Sequence, residues 1–496
     1  MPPRLPTKKQ FSFWSTGDQL TRYTNDTGRP GPGGGTRTLT SAGPAVAEAA
    51  AAHAPAHPVR PWLDRRRIMA AYTVFAGYAV IDAVFSAGED QVWAIWAACG
   101  YAVTLLMLWR WPGLRVRTAA VLVSVALAVV APLLWLSVAY PLEDGMHVIE
   151  RSAALLLHHG TPYLAGTQIT SWLSYNPYLP VMTLFGLPAA AGLGGLAGNA
   201  GVWLALGTVV PLAAAFWIAA PHRHCPDCRR DTLLATAIAV ASPVIGLNLA
   251  VITTDPPVLA LMLLSLALAV TPQGMKATAA RTVASGAALG VACDLKSTAW
   301  LAVPVMAVMF AARDGARAMW RFLAALVVTV LALIALLAPA ALVRPGAATA
   351  LVQNTVLFPL GLTHDKTPAE SLLPGHLLTA MGTAGHVASV GLLLAAGLAV
   401  AISLVIRPPR DVPSATWRLA AGLALMFLLG PDVRFGYFIY PLGLIGWLAL
   451  TRQATSPVPQ LGGKGECEDA RDSGRASWRA GGTARRGARG AATRTR

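Results

Sequence analysis

Charge is what this 496-residue sequence has least of: Asp, Glu, Lys and Arg make up 12% of it, about half the share a soluble domain carries. With hydrophobic residues at 55%, that scarcity excludes an ordinary water-soluble globular chain. Cysteine is sparse as well. Cys99, Cys225, Cys228, Cys293 and Cys467 are scattered, so no disulfide framework is expected. Cys225 and Cys228, with His222 and His224 beside them, have the spacing of half a zinc knuckle, but the second half is missing, and neither metal nor cofactor is expected. No convincing internal repeat is present, which disfavours transporter folds built from related halves. The first sixty residues lack the basic start and short apolar core of a cleavable signal peptide, so the first membrane helix is expected to do the targeting. Acidic residues number 23 against 39 Lys and Arg, for a formal net charge of +16. No aromatic platform accompanies the basic stretches, which excludes nucleic acid as an expected partner.

What the sequence does have is long apolar runs. A helix crossing a bilayer needs about 20 mostly apolar residues, and residues 118–139 provide such a run without one charge. Residues 69–87 and 92–109 read the same way. These runs predict an all-α, polytopic transmembrane helical bundle over residues 65–451, with about 11 to 13 membrane segments. Residues 1–64 and 452–496 are Pro/Gly-rich or Arg-rich and predict disordered tails; the basic tail suits contact with anionic membrane lipids. Basic clusters at Arg65, Arg66 and Arg67, between Arg110 and Arg117, between Arg313 and Arg321, and between Arg407 and Arg410 place those loops and both termini in the cytoplasm. External loops then fall at about 140–176 and 346–384 on one face of a multi-pass cell-membrane protein. Residues 177–197 and 202–220 both look membrane-embedded, yet the basic segment 222–230 belongs inside. Only one net crossing fits, so the glycine-rich stretch between them marks a broken or re-entrant segment.

The first external loop carries the most chemistry. Glu143 and Asp144 follow a membrane exit, and from Met146 the apolar residues Val148, Ile149, Ala153, Leu155, Leu156 and Leu157 recur at helical spacing, with His147 among them. That pattern predicts a helix along the membrane surface, stopped by Gly160. Thr161, Pro162 and Tyr163 begin an extended return through Tyr175, Asn176, Pro177 and Tyr178. Farther on, Asp255 sits in a Thr-Thr-Asp-Pro-Pro turn. Lys296 and Arg434 are cations at the edge of apolar spans, where charge is costly unless it serves a substrate or a partner.

The order of these motifs resembles family-87 glycosyltransferases of the GT-C superfamily: an acidic pair, a helix ending in Gly160-Thr161-Pro162-Tyr163, and Tyr175-Asn176-Pro177-Tyr178 entering the next span. Then come Ser242-Pro243 and Asp255, Gly286 and Gly290 leading to Lys296, Phe358-Pro359-Leu360-Gly361-Leu362, Leu373-Pro374-Gly375-His376, and Arg434-Phe435-Gly436-Tyr437. The resemblance implies a membrane enzyme that moves a sugar, often mannose, from a polyprenyl-phosphate donor to a lipid or glycan acceptor on the outer face, inverting the anomeric carbon. It implies an acidic base in the first external loop, where Asp144 matches best and Glu143 is the alternate. The family's commoner Val-Tyr after the acid is absent here.

The same resemblance makes His147, Tyr163, Tyr175, Asn176, Asp255, Lys296, His376 and Arg434 candidates for substrate contact. The local alternatives are plainer: a turn-forming Asp255, a snorkelling Lys296, an Arg434 paired with Asp432, and loop histidines at 364 and 376. At the level of the whole chain, the alternatives are a transporter or flippase for lipid-linked sugars, or a catalytically inactive membrane scaffold.

Overall fold

The computed structural model describes residues 64–140, 144–220, 226–271, 275–359, 362, 363, 365, 371–431 and 433–451. The two tails, Glu143, His222, His224, Cys225, His364 and Asp432 lie outside the described residues, as does the Cys228 side chain. Every described residue is helix, turn or loop; no strand occurs among them. We number helices of eight residues or more.

Seven helices are long and apolar enough to cross a membrane: α1 (Arg65–Phe85), α2 (Gly88–Arg110), α3 (Leu114–Ala139), α5 (Ala200–Ala219), α11 (Ala316–Leu337), α13 (Thr383–Ile406) and α14 (Val412–Leu429). An eighth is possible by length if α6 (Pro226–Ala241) and α7 (Pro243–Ala250) count together, although they bend by 61° at Ser242. The remaining apolar helices are shorter and include α8 (Pro256–Ala269), α9 (Ala279–Cys293) and Phe435–Thr451, whose α-helical part is α15 (Ile439–Thr451). Between them lie α4 (Asp144–His159), α10 (Ala302–Asp314) and α12 (Pro345–Val352). Large apolar side chains face outward along several spans, among them Ile81, Phe85, Leu394 and Val405. Such flanks need a hydrocarbon solvent, and the chain is a membrane-embedded, multi-pass helical protein.

Two irregularities in the spans are met by donors from α2. Pro243 cannot continue α6, because its ring carries no N–H and clashes with the preceding turn, and Tyr101 donates its hydroxyl to the freed carbonyl of Ala241. In α3 a π-helical turn covers Ala126–Val130, and the Trp93 indole donates to Ala128 O at 2.8 Å. These contacts join α1, α2 and α3 into one apolar cluster with Tyr72, Tyr101, Leu234 and Ile238. A larger cluster is built around α8, α9 and α14.

Glycines set the helix spacing in that larger cluster. A Cβ on Gly286 would lie 2.3 Å from Phe322 O, and one on Gly290 would lie 2.9 Å from Thr329 Cβ. The Gly-x-x-x-Gly stretch before Lys296 is therefore the seam that packs α9 on α11.

The stretch after the loop that carries α4 is broken. Pro180–Gly186 is 3-10 helix and Leu187–Ala190 a single α-turn, too short to cross hydrocarbon. It packs instead under α4, where a Cβ on Gly186 would meet Ile149 O at 2.6 Å.

Candidate functional site

The site begins with a turn. α7 ends at Ala250, and the chain turns sharply through Ile252, a β-branched residue at φ 60°, which is strained for any side chain but glycine. Gly201 makes room for it: a Cβ there would sit 2.4 Å from Ile252 Cγ2. Thr253 ties the turn back to α7 by donating its N–H to Asn248 O at 2.9 Å and its hydroxyl to Asn248 Oδ1 at 3.0 Å. Asp255 then stands at the N-cap of α8, ahead of Pro256 and Pro257. Its side chain does not cap the helix, so it is more than a turn former. The carboxylate sits at the positive end of the helix dipole and accepts from Lys296 Nζ at 2.7 Å and from the Tyr440 hydroxyl at 2.7 Å.

Lys296 reaches this carboxylate from the end of α9. Its side chain is 12% exposed, its ammonium lies 4.7 Å from the Tyr437 ring centre and 6.0 Å from that of Tyr178, and Thr254 Oγ1 is 3.4 Å away. Burial alone would lower the ammonium's pKa; the Asp255 carboxylate, with help from Tyr437 and Tyr178, outweighs it and raises the pKa above the usual value. Lys296 is a fixed cation rather than a proton donor. Thr298 completes the network by donating to the Tyr440 hydroxyl at 2.9 Å.

These groups open on a cavity of about 800 Å³, lined among others by Tyr178, Asn248, Asp255, Lys296, Arg434 and Tyr437. Arg434 is exposed and makes no ion pair among the described residues. The cavity shares Leu393 and Met426 with an apolar groove of about 330 Å³ between α10, α13 and α14. A chamber bearing Asp255, Lys296 and Arg434 thus adjoins an apolar groove.

Three of the expected site residues, Asp255, Lys296 and Arg434, meet in this cavity; the other described ones do not line it. Asp144 and His147 are exposed on the first two turns of α4. That helix buries Met146, Val148, Ile149, Ser152 and Ala153 and leaves Leu157 exposed, and it ends where Gly160 takes φ 69°. Arg151 fastens it to the returning segment of the loop, donating to Leu173 O at 2.7 Å and Ser174 O at 3.1 Å. Burial lowers the pKa of Arg151 and raises that of its neighbour Glu150, the latter partly offset by the Ala200 N–H.

Tyr163, Tyr175 and Asn176 are buried and hold the loop. Tyr163 donates to Tyr178 O at 3.0 Å, Tyr175 stacks on Phe358 with ring centres 4.2 Å apart, and the Asn176 N–H donates to Asn354 Oδ1 at 2.8 Å. Asn354 in turn donates to Leu164 O at 3.1 Å, so the two long loops dock on each other on one face. His376 is an anchor as well, with Nδ1 3.1 Å from Pro431 O. Gly375 permits that approach, since a Cβ there would lie 2.3 Å from Gly430 O.

Tyr440, Thr298, Asn248 and Asp294 were not singled out by sequence reasoning. The spacing of Tyr437 and Tyr440, three apart on one helical face, is the signal that could have found the pair. Asp294 has no comparable mark. It is fully buried at the end of α9, just before Lys296, its carboxylate is at best weakly satisfied, and burial, partly offset by the Val181 N–H, pushes its pKa up to about 8.

No group of three or more metal-ligating side chains occurs among the described residues. No family model, curated protein or solved structure matches the chain.

Proposed function

We propose that the chain is a membrane glycosyltransferase of GT-C-like architecture, with 11 to 13 membrane segments and both termini in the cytoplasm. It transfers a sugar, mannose in our reading, from a polyprenyl-phosphate donor to a hydroxyl of a lipid or glycan acceptor at the outer face. The observation that carries this reading is the cavity where Lys296, fixed by Asp255 and Tyr440, stands with Arg434 at the mouth of an apolar groove. The groove suits an isoprenoid chain, the cations suit the phosphate, and the tyrosine faces suit a sugar ring.

In this mechanism the acceptor oxygen attacks the anomeric carbon as its proton passes to Asp144, with Glu143 as the alternate base. The bond from that carbon to the phosphate oxygen breaks, and its electron pair leaves on the polyprenyl phosphate. One displacement inverts the anomeric centre. Lys296 and Arg434 stabilise the phosphate charge as it develops. Asp144 does not line the cavity, so the step requires the start of α4 to close toward Lys296 and Arg434, because the base must lie within hydrogen-bond reach of the hydroxyl that attacks the phosphate-bound carbon.

Membranes containing the full chain, incubated with radiolabelled polyprenyl-phosphomannose and a panel of acceptors, should form a labelled glycolipid or glycan. Asp144→Asn should reduce transfer by at least ~100-fold. Absence of transfer by wild type across a broad panel would overturn the enzyme, and equal transfer by the variant would overturn the base.

One observation favours a second reading. The 61° break between α6 and α7 leads directly to the strained turn before Asp255, and interrupted helices beside charged groups are how secondary transporters build their sites. Proteoliposomes that move the intact labelled donor between leaflets without transferring its sugar would support a flippase.

A further inference from the structure

At the other end of the same helices lies a second cavity, of about 480 Å³. α8 runs from Asp255 to Val270 on its wall, α14 starts there at Val412 and ends at Gly430 on the first cavity, and α15 descends from Tyr440 to Thr451. Three cations line it: Lys276, Arg313 and Arg410.

They are not equivalent. Arg313 is committed to Asp314, at 2.7 Å, and to Ala269 O, at 2.8 Å. The lining acid Asp411 is committed too, accepting from the Ser414 N–H and hydroxyl at 2.7 Å each as the cap of α14. Lys276 and Arg410 are exposed and make no ion pair among the described residues. The wall also holds Trp447, 1% exposed, whose indole N–H is buried with no acceptor among the described residues. A buried donor left unsatisfied is costly unless a water or ligand oxygen meets it. Two exposed cations on one hollow, with Val412, Leu448 and the Trp447 ring in its wall, are the requirements of an oxyanion attached to an apolar body.

We propose that this second cavity binds the phosphate ester of an anionic membrane lipid, its phosphate held by Lys276 and Arg410 and its apolar part lying against Val412, Trp447 and Leu448. The site is separate from the Lys296 cavity and independent of the transferase reading. Inorganic phosphate shares the recognised chemistry, and the test separates the two sources.

The full-length protein, purified in a non-ionic detergent, is titrated with phosphatidylglycerol, phosphatidylcholine or inorganic phosphate, and bound lipid is counted by native mass spectrometry alongside thermal stability. Phosphatidylglycerol should bind and raise the unfolding temperature, and phosphatidylcholine should do neither. Lys276→Gln/Arg410→Gln should weaken phosphatidylglycerol binding roughly 10- to 30-fold. The charge-matched Arg66→Gln/Arg115→Gln, both exposed and away from this cavity, should bind as wild type. Arg410→Gln alone should weaken binding by a smaller factor, and it serves as the deciding variant if the double variant does not purify as a single species. Equal binding by wild type and Lys276→Gln/Arg410→Gln, or equal loss in the Arg66→Gln/Arg115→Gln control, would overturn the site. An equal response to inorganic phosphate at matched concentration would overturn the lipid as its source.

Discussion

The cavities at the two ends of α8, α14 and α15 handle charge in opposite ways. At one end Lys296 is almost wholly buried, and its charge is met by Asp255, by Tyr437 and Tyr178, and at one remove by Tyr440 and Thr298. At the other, Lys276 and Arg410 stay exposed and form no ion pair among the described residues, and the nearby Asp411 caps α14 instead. A charge inside a membrane bundle survives only with its partner in place. The buried end is therefore rigid and preorganised, suited to stabilising an anion whose charge grows during a reaction. The exposed end is screened and adaptable, suited to binding an anion that does not react.

Removing one partner at the buried end should produce the largest loss. Lys296→Met leaves Asp255 buried and unpaired, and denaturant unfolding in detergent should show about 3–5 kcal/mol of destabilisation. Asp255→Asn/Lys296→Gln, which neutralises both groups, should recover most of it. If Lys296→Met were as mild as a change at Arg410, the contrast between the ends would collapse.

Asp294 adds a pH dependence to the buried end. Burial pushes its carboxyl up to about 8 in the folded chain, against about 3.9 for a solvated one. Between those values the unfolded chain has released a proton that the folded one keeps, so stability falls as pH rises, by up to ~1.4 kcal/mol per pH unit. Thermal unfolding between pH 4 and 8 should show this decline, and Asp294→Asn should flatten it. An unchanged slope would remove Asp294 from the account.

The spacing that holds the two ends apart depends on the α9 seam. Gly286→Ala should cost about 1–3 kcal/mol, because the added carbon meets Phe322 O, and chemical unfolding measures it. Smallest of all, Lys276→Gln/Arg410→Gln should shift stability within about 0.5 kcal/mol in lipid-free detergent. A larger shift would mean these cations are structural and not reserved for a ligand.

The sequence made the membrane fold legible because the signal is local: an apolar run long enough to cross hydrocarbon reads the same in any context. The first three spans, the helix stopped by Gly160 and the broken segment before α5 follow from that logic. Asp255, Lys296 and Arg434 were legible because charge beside apolar runs is rare. Their partners were not. Tyr440 meets Asp255 across 185 residues and Asn354 meets Asn176 across 178, and no local pattern encodes such pairings. Motif order alone gave Tyr163, Tyr175, Asn176 and His376 the look of ligand contacts, whereas their hydrogen bonds and stacking are spent on the loops. Gly286 and Gly375 carry the same lesson, since both permit a close backbone approach that only the packed structure reveals.

The most direct test of the central claim is the rate of sugar transfer from polyprenyl-phosphomannose by wild type and by Asp255→Asn/Lys296→Gln, both shown to be folded and monodisperse. If the buried cation stabilises the departing phosphate, wild type transfers and the double variant loses on the order of 100-fold in kcat/KM. Equal rates in the two proteins would contradict it.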